Sequence, residues 1–368
     1  MPATIQTGPR SSDRGSDATV NAPDKPAGTI RLRHIAQLTG LSLGTISKVL
    51  NGREGVSAEN REKVQRAVND LGFRRWPMMG SAENPLTSAT VIAYSFAAFG
   101  DTFYDKILRT MVEEGQRRGL AIDVNLLMLH RFTTEIPEAS LFQNGIPEAV
   151  IMLGVDHLPV LDQIAAVSCP TLLVNGIDPL MRFDSISPDY FLGGFLATRH
   201  LLDLGHREIV HVGTARRMTL DLRRQGFIAA LTQAGIVYDP QRHLVDIGLQ
   251  DFATLDEQEL TRQISKRGKL KGTAFFAVAD TVAMSVIQAL GSKGFSVPGN
   301  VSVIGFDDLA VSAHCTPPLT TLHSKRTVMG QMAVQMLFDR AANPQKEISR
   351  VSIGIDLVNR ESTARVDS

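Results

Sequence analysis

From Ala89 to Ala341 the chain alternates short apolar runs with longer amphipathic ones, and that alternation limits the folds open to it. The runs V-I-A-Y-S-F (91–96), A-I-D-V-N-L-L-M (121–128), A-V-I-M-L-G (149–154) and T-L-L-V-N (171–175) read as buried strands. So do E-I-V-H-V-G (208–213), T-A-F-F-A-V (273–278) and V-S-V-I-G-F (301–306). Between them, apolar spacing predicts helices over Tyr104–Arg118, Leu158–Val167, Tyr190–Leu204, Leu222–Ala234, Asp280–Lys293 and Val328–Ala341. Gly205 and Gly235 stand just past two of these, where a helix commonly ends. Repeated strand–helix units predict parallel sheets covered by helices on both faces. The strands are too many for one modest sheet. The expected fold class is therefore α/β, with two doubly wound lobes and a ligand cleft at the carboxyl ends of their strands.

The N-terminal part has a different pattern. Ile35–Asn51 reads as two short helices joined by a tight turn at Gly40, with Ser42 as N-cap of the second. Ile35, Ala36 and Leu38 supply the apolar face of the first helix, and Ile46, Val49 and Leu50 that of the second. Two helices around a short glycine-containing turn form a helix-turn-helix, whose second helix fits the major groove of double-stranded DNA. Ser57 caps a third helix running to Leu71, and Gly72 ends it.

Charge supports that partner. Formal net charge is +0, yet Arg31–Arg75 holds nine Lys or Arg against four acidic residues. The 368 residues, 43% apolar and 21% charged, suit a globular protein of two or three domains. Residues 1–28 are polar, read as a disordered extension, and hold no apolar signal segment. Residues 29–75 form the helical domain, 76–88 a linker with two prolines, and 89–368 the core. The longest apolar run, Ala89–Phe99, is too short to span a bilayer, so a cytoplasmic location is expected. Cys169 and Cys315 read as isolated buried thiols.

Longer motifs carry a family resemblance that covers nearly everything after residue 30. They are I-A-x-x-x-G-x-S-x-x-T-I-S-K-V-L-N-G with V-S-x-x-x-R-E-K-V, then G-G-x-L-A-T-x-H-L-x-x-L-G-H-R-x-I (193–209) and R-x-x-G-F (223–227). V-P-G-x-V-S-V-I-G-F-D-D (297–308), P-P-L-T-T (317–321) and V-N-R-E-S-T-A (358–364) follow. Together they resemble the Lac/Gal repressor family of bacterial transcription regulators. The resemblance implies an all-α helix-turn-helix domain followed by a periplasmic-binding-protein-like core. Lobe 1 is expected over about 89–186 plus 318–345, and lobe 2 over about 187–317 plus 346–368.

The resemblance implies base contacts from Leu43, Gly44 and Lys48, and phosphate contacts from Ser42, Thr45, Ser47 and Asn51. Hydroxyls near a helix N-terminus suit phosphate oxygens, and lysine reaches guanine O6 and N7. Leu43 and Gly44 offer apolar contact at most. Arg31, standing where the family has threonine, and Ser57 complete the DNA-binding set. The usual hinge helix is interrupted here by Pro77 and Gly80, and its wedge leucine is replaced by Ala82. Met78 and Met79 are candidate substitutes for the wedge, an ordinary flexible linker being the alternative.

In the core, the family's effector contacts match Arg223 and Asp280, whose donor fork and paired acceptors suit a polyhydroxylated ligand such as a sugar. Asn175 and Phe103, the latter followed by Tyr104, are further candidates, each also readable as a structural group. Asp307-Asp308 reads as a cleft-shaping turn. His206 and His211 lack a metal-ligand spacing, no cofactor is implied, and no nucleophile–base motif suggests an enzyme. The expected protein is a homodimeric repressor on a pseudo-palindromic operator, switched by a small polar effector. The alternative is a solute-binding receptor of a transport system built on the same core.

Overall fold

The computed structural model of the chain describes residues 32–50, 55–70, 85–94, 102–127, 141–142, 146–167, 169–215, 217–248, 255, 257–266 and 273–366. The N-terminal extension, Arg31, Asn51, Gly72, Met78, Met79 and most of the expected linker lie outside the described residues.

Three helices open the described chain: α1 (Leu32–Thr39), α2 (Leu43–Leu50) and α3 (Ala58–Asp70). Ile35, Ile46, Val49, Val64 and Ala67 form their small core. Gly40 sits in the α1–α2 turn at φ 67°, a conformation that costs glycine little. Leu38, expected on the apolar face of α1, is instead 61% exposed. Helical spacing marks a stripe, and Leu38 lies off the side that meets α3.

Lobe 1 is a six-stranded sheet, parallel at every pairing. Its strands are β1 (Ser88–Tyr94), β2 (Ala121–Leu127), β3 (Val150–Leu153), β4 (Thr171–Val174), β5 (Asp184–Pro188) and β11 (Arg350–Ile353). Their spatial order is β11-β5-β4-β3-β1-β2. Alternate residues of the central strands feed different cores. Val91, Ile151, Leu153, Leu172 and Val174 pack under α4 (Thr102–Arg117) and α11 (Arg326–Ala342). Ile92, Val150, Met152 and Leu173 pack under α5 (Leu158–Ala166). Burial on both faces is why these strands read as continuous apolar runs.

Lobe 2 is a four-stranded parallel sheet of β6 (Ile209–Gly213), β7 (Leu244–Asp246), β8 (Ala274–Ala277) and β9 (Ser302–Ile304), in the order β7-β6-β8-β9. Helices α6 (Tyr190–Asp203) and α7 (Met218–Gln233) cover one face. Helices α9 (Glu257–Ser265) and α10 (Asp280–Gly291) cover the other, and α8 (Pro240–His243) is a single turn. A short antiparallel pair, β10 (Thr321–His323) with β12 (Asp356–Val358), adjoins this lobe through bridges Ile304–Thr320 and Asp307–His323.

The lobe boundaries differ from those expected. Arg350–Ile353 pairs with Asp184–Pro188, so it belongs to lobe 1, not lobe 2. Thr320–His323 stays with lobe 2, because Leu322 is buried beside Ile209 and Phe306. The chain therefore crosses between lobes near Asp189, Ser324-Lys325 and Gly354-Ile355. Strands β5, β7, β10, β11 and β12 and helix α9 have no counterpart in the apolar pattern, being short or polar. Helix α7 starts at Met218, four residues before the expected Leu222.

The paired glycines of G-G-x-L-A-T have a packing reason. A Cβ at Gly194 would lie 2.0 Å from the Arg223 carbonyl oxygen, and one at Gly226 would lie 2.0 Å from that of Phe191. Helices α6 and α7 thus cross backbone to backbone. Gly226→Ala is expected to cost about 3 kcal/mol in a urea titration, since overpacking here meets unyielding main chain. Gly291→Ala, with open space around the added methyl, is the control and should change little.

Candidate nucleic-acid interface and interlobe cleft

The start of α2 is set by Ser42, whose Oγ accepts a hydrogen bond from the Thr45 backbone N–H at 3.1 Å. The two hydroxyls, Ser42 Oγ and Thr45 Oγ1, also lie 2.9 Å apart. Ile46 and Val49 turn into the core, which leaves Leu43, Gly44 and Lys48 exposed on the opposite side. Gly44 and Lys48 are one turn apart, so the outward face presents a bare backbone patch beside a cation. Thr45 is half-buried at its edge, and Ser47 lies on the same helix. Ser57 is exposed at the head of α3, where its Oγ accepts from the Asn60 N–H at 3.3 Å. Lys63–Glu59 and Arg66–Glu62 form surface pairs along α3. Arg31, Asn51, Met78 and Met79 fall outside the described residues.

At the lobe junction, residues from the carboxyl ends of strands in both lobes meet in one polar chain. Asn175 follows β4 in a left-handed conformation, φ 57°, which turns its amide toward the junction. Its Nδ2 donates to Tyr104 Oη at 2.7 Å, and its Oδ1 accepts from Tyr190 Oη. Tyr104, near the start of α4, lies against Gly154, where any Cβ would come within 2.6 Å of the ring. That contact explains the glycine closing A-V-I-M-L-G.

Lobe 2 contributes two arginines. Arg217 donates from Nη1 to Tyr104 Oη at 3.2 Å and from Nη2 to the Asn175 carbonyl oxygen at 3.1 Å. Its Nε and Nη2 grip the Asp156 carboxylate at 3.2 and 3.1 Å. Arg223 is buried, its guanidinium 4.4 Å from the Tyr190 ring centroid and 3.9 Å from that of Phe306. Such stacking adds about 0.5–2 kcal/mol. Nη1 of Arg223 donates to the Val278 carbonyl, and Nη2 lies 3.5 Å from Asp307 Oδ1. Its Nε is buried without a hydrogen-bond partner. A buried, unsatisfied cationic donor is costly and marks a place where a ligand acceptor is useful.

Of the four residues expected at the effector, Arg223 and Asn175 are brought into this network and the other two are placed elsewhere. Asp280 has no exposed surface. Its Oδ2 accepts from the Leu309 N–H at 2.8 Å and Ser312 Oγ at 2.6 Å, and its Oδ1 accepts from Thr321 Oγ1. Burial pushes this carboxyl up to about 6, against the hydrogen bonds that favour its charged form. Asp280 therefore fastens α10 to the turn after β9 and to the crossing segment. That engagement gives Asp280 a structural role and leaves it outside the polar chain at the junction. Phe103 is likewise a core aromatic of lobe 1, packed edge-on against Tyr104 with ring centroids 5.1 Å apart.

The Asp307-Asp308 pair forms the turn expected of it, with both residues at positive φ, 110° and 52°. Asp307 faces Arg223, so the carboxylate at the junction comes from this pair and not from Asp280. Although burial works the other way, Arg360 and His323 hold the Asp308 carboxyl below its usual range. The two histidines weighed as ligands are packed groups. His206 Nε2 lies 2.9 Å from Ser302 Oγ, and His211 Nδ1 lies 3.0 Å from the Phe276 carbonyl oxygen. Burial pushes the His211 imidazole down to about 4 and keeps it neutral. Among the described residues no group of three or more His, Cys, Asp or Glu is placed to hold a metal ion.

Sequence reasoning missed Arg217, Asp156, Tyr190 and the role of Tyr104. The available signal was position: Arg217 follows β6 and Asp156 follows β3, both at the carboxyl ends where ligands gather.

Comparison with known proteins agrees with this architecture. Residues 31–75 match the family described as bacterial regulatory proteins, lacI family, and residues 198–363 match the periplasmic binding protein-like domain. The HTH-type transcriptional repressor PurR of Pasteurella multocida is 28% identical over 334 residues, spanning 90% of this chain and 98% of that protein. The ribose operon repressor of Haemophilus influenzae is 27% identical with the same coverage. Among solved structures, a complex of the transcriptional regulator CelR with cellobiose has a TM-score of 0.67 and 26% identity, covering 90% of this chain and 99% of that one. The chain thus carries a lacI-family helix-turn-helix domain ahead of a two-lobed, periplasmic-binding-protein-like core, an arrangement it shares with these transcription regulators.

Proposed function

We infer that this protein is a DNA-binding repressor whose operator affinity is set by a small polar ligand, a sugar or sugar derivative, held at the lobe junction. The observation that carries this reading is the polar chain Asp156–Arg217–Tyr104–Asn175–Tyr190, which runs from one lobe to the other. It ends beside Arg223 and Asp307. Planar arginine forks, a carboxylate and an amide recognise hydroxyls, and the tyrosine rings offer flat faces to a sugar. Relatives named as repressors, one of a ribose operon, and a neighbour solved with cellobiose support the same class. The ligand-facing set on this reading is Arg217, Arg223, Asn175, Tyr104 and Asp307.

Two copies joined through their cores place two α2 helices on adjacent half-sites of a pseudo-palindrome. Leu43, Gly44, Thr45, Ser47 and Lys48 then enter the major groove, Ser42 and Ser57 sit at the backbone, and Arg31 and Asn51 extend the phosphate contacts. Met78 and Met79 remain candidates for the minor-groove wedge. Action on DNA places the protein in the cytoplasm, and among the described residues no helix is long and apolar enough to cross a membrane. The relatives are regulators and not enzymes, and we read this chain the same way. A transport receptor is disfavoured by the lacI-family match over residues 31–75.

A thermal-shift screen of sugars and sugar acids, followed by gel shift on the upstream intergenic DNA with each hit, tests the reading. A hit should raise the melting temperature and change operator affinity. A hit that stabilises the core and leaves operator affinity unchanged would favour the receptor alternative. Lys48→Ala should weaken operator binding about tenfold, the cost of one lost base contact. Affinity should also fall steeply between low and moderate salt, because the basic charge is concentrated in one small domain. Asn175→Ala should raise the Kd for the hit about tenfold, and an unchanged Kd would remove Asn175 from the ligand set.

A further inference from the structure

We propose that the Asp156–Arg217 ion pair is a latch between the lobes that sets how closed the core rests before any ligand arrives. Only the link from closure to DNA affinity rests on the function proposed above. The closure itself does not.

Four observations carry it. First, Arg217 belongs to lobe 2, between β6 and α7, while every group its guanidinium binds belongs to lobe 1. Asp156 follows β3, Asn175 follows β4, and Tyr104 stands in α4. Opening the lobes would break all of these hydrogen bonds together. Second, the pair is placed outside the crossing segments. The other described ion pair between lobes, Lys325–Asp356, lies on the crossings themselves and would survive rotation about them. Third, Arg217 occupies the N-cap position of α7 and gives it no side-chain cap. Serine, threonine, asparagine or aspartate there would stabilise the helix by about 1 kcal/mol. The side chain is committed to the opposite lobe instead. Fourth, the pair is neither sealed nor freely solvated, with side-chain exposures of 28% for Arg217 and 14% for Asp156. A fully sealed pair is hard to separate without leaving a buried charge, and a fully exposed one holds little. Intermediate burial suits a contact that forms and breaks.

The latch also shares Tyr104 and Asn175 with the ligand-facing network. A ligand that donates to Tyr104 Oη or to the Asn175 carbonyl oxygen competes with Arg217 for that atom. Entry and unlatching are thereby coupled, and latch strength taxes ligand affinity by the fraction of core that is unlatched.

The test measures the distance between spin labels on the two lobes in the full chain, without ligand or DNA. Labels are placed at Gln116→Cys and Val237→Cys, with Cys169 and Cys315 replaced by serine. The parent protein should give one short, narrow distance distribution. Asp156→Asn, which keeps the shape and removes the charge, and Arg217→Ala should each lengthen and broaden it. The double variant should open no further than either single one. The exchange Asp156→Arg with Arg217→Asp should return the distribution toward the parent. Unchanged distributions in Asp156→Asn and Arg217→Ala, or effects that add in the double variant, would overturn the latch. Since no ligand is used, this outcome stays readable even if no sugar binds. If the lobes open and operator affinity moves by less than threefold, the latch stands and its coupling to DNA is overturned.

Discussion

The two lobes share one edge because the chain passes between them three times and the passages are tied to one another. Asp189 N–H donates to the Ile353 carbonyl oxygen at 2.8 Å, which joins the first crossing to the third. Lys325 meets Asp356 at 3.0 Å, which joins the second to the third, and Ser324 Oγ donates to Asp307 Oδ1 at 3.2 Å, which ties the second to the turn after β9. Three tied strands permit rotation about the shared edge and resist sliding. All relative motion is therefore focused on the junction, where the strand ends of both lobes face each other. Asp307 and Lys325 accept left-handed backbone, φ 110° and 40°, to make these turns. Such conformations cost about 1–3 kcal/mol each and persist where the surroundings hold them.

Charge at the junction is arranged around that constraint. Two arginines face two aspartates, and each pair acts at a different level. Arg223–Asp307 is buried inside lobe 2, stacked between Tyr190 and Phe306, and forms a fixed floor. Arg217–Asp156 joins the lobes above it and is only partly buried. Tyr190 touches both levels, since its ring lies over Arg223 and its hydroxyl donates to Asn175. Its position at the start of α6, directly after the first crossing, makes it sensitive to rotation of one lobe against the other. Thus the floor, the latch and the hinge are one connected structure.

Much of this was legible in the residues. Strands buried on both faces have to be apolar throughout, so β1, β3, β4, β6, β8 and β9 stood out. Gly194 and Gly226 stand within the family motifs, but the close approach of α6 and α7 that requires them has no local pattern. Strand β5, D-S-I-S-P, was not legible, because buried serines and an aspartate bound to Arg340 replace the usual aliphatic residues. Strand β11, R-V-S-I, escaped because it is a short edge strand with Arg350 and Ser352 exposed, and with it the lobe boundaries. Asp280 is ambiguous in the sequence because a carboxylate at a helix start is equally suited to a ligand and to a clasp. Three donors from the turn after β9 and from β10 engage it as a clasp. Arg217 was invisible for a different reason: its partners are 42, 61 and 113 residues away, and no local pattern encodes them.

On the function proposed above, one ligand site and one DNA site share a single conformational equilibrium. Thermodynamic linkage then requires reciprocity: the factor by which ligand changes operator affinity must equal the factor by which operator changes ligand affinity. Titration calorimetry of a screening hit into the free protein and into its operator complex gives one factor, and operator binding with and without saturating ligand gives the other. Two factors that agree and differ from one are the predicted result. Ligand binding with the same affinity to free and operator-bound protein would rule out a shared equilibrium.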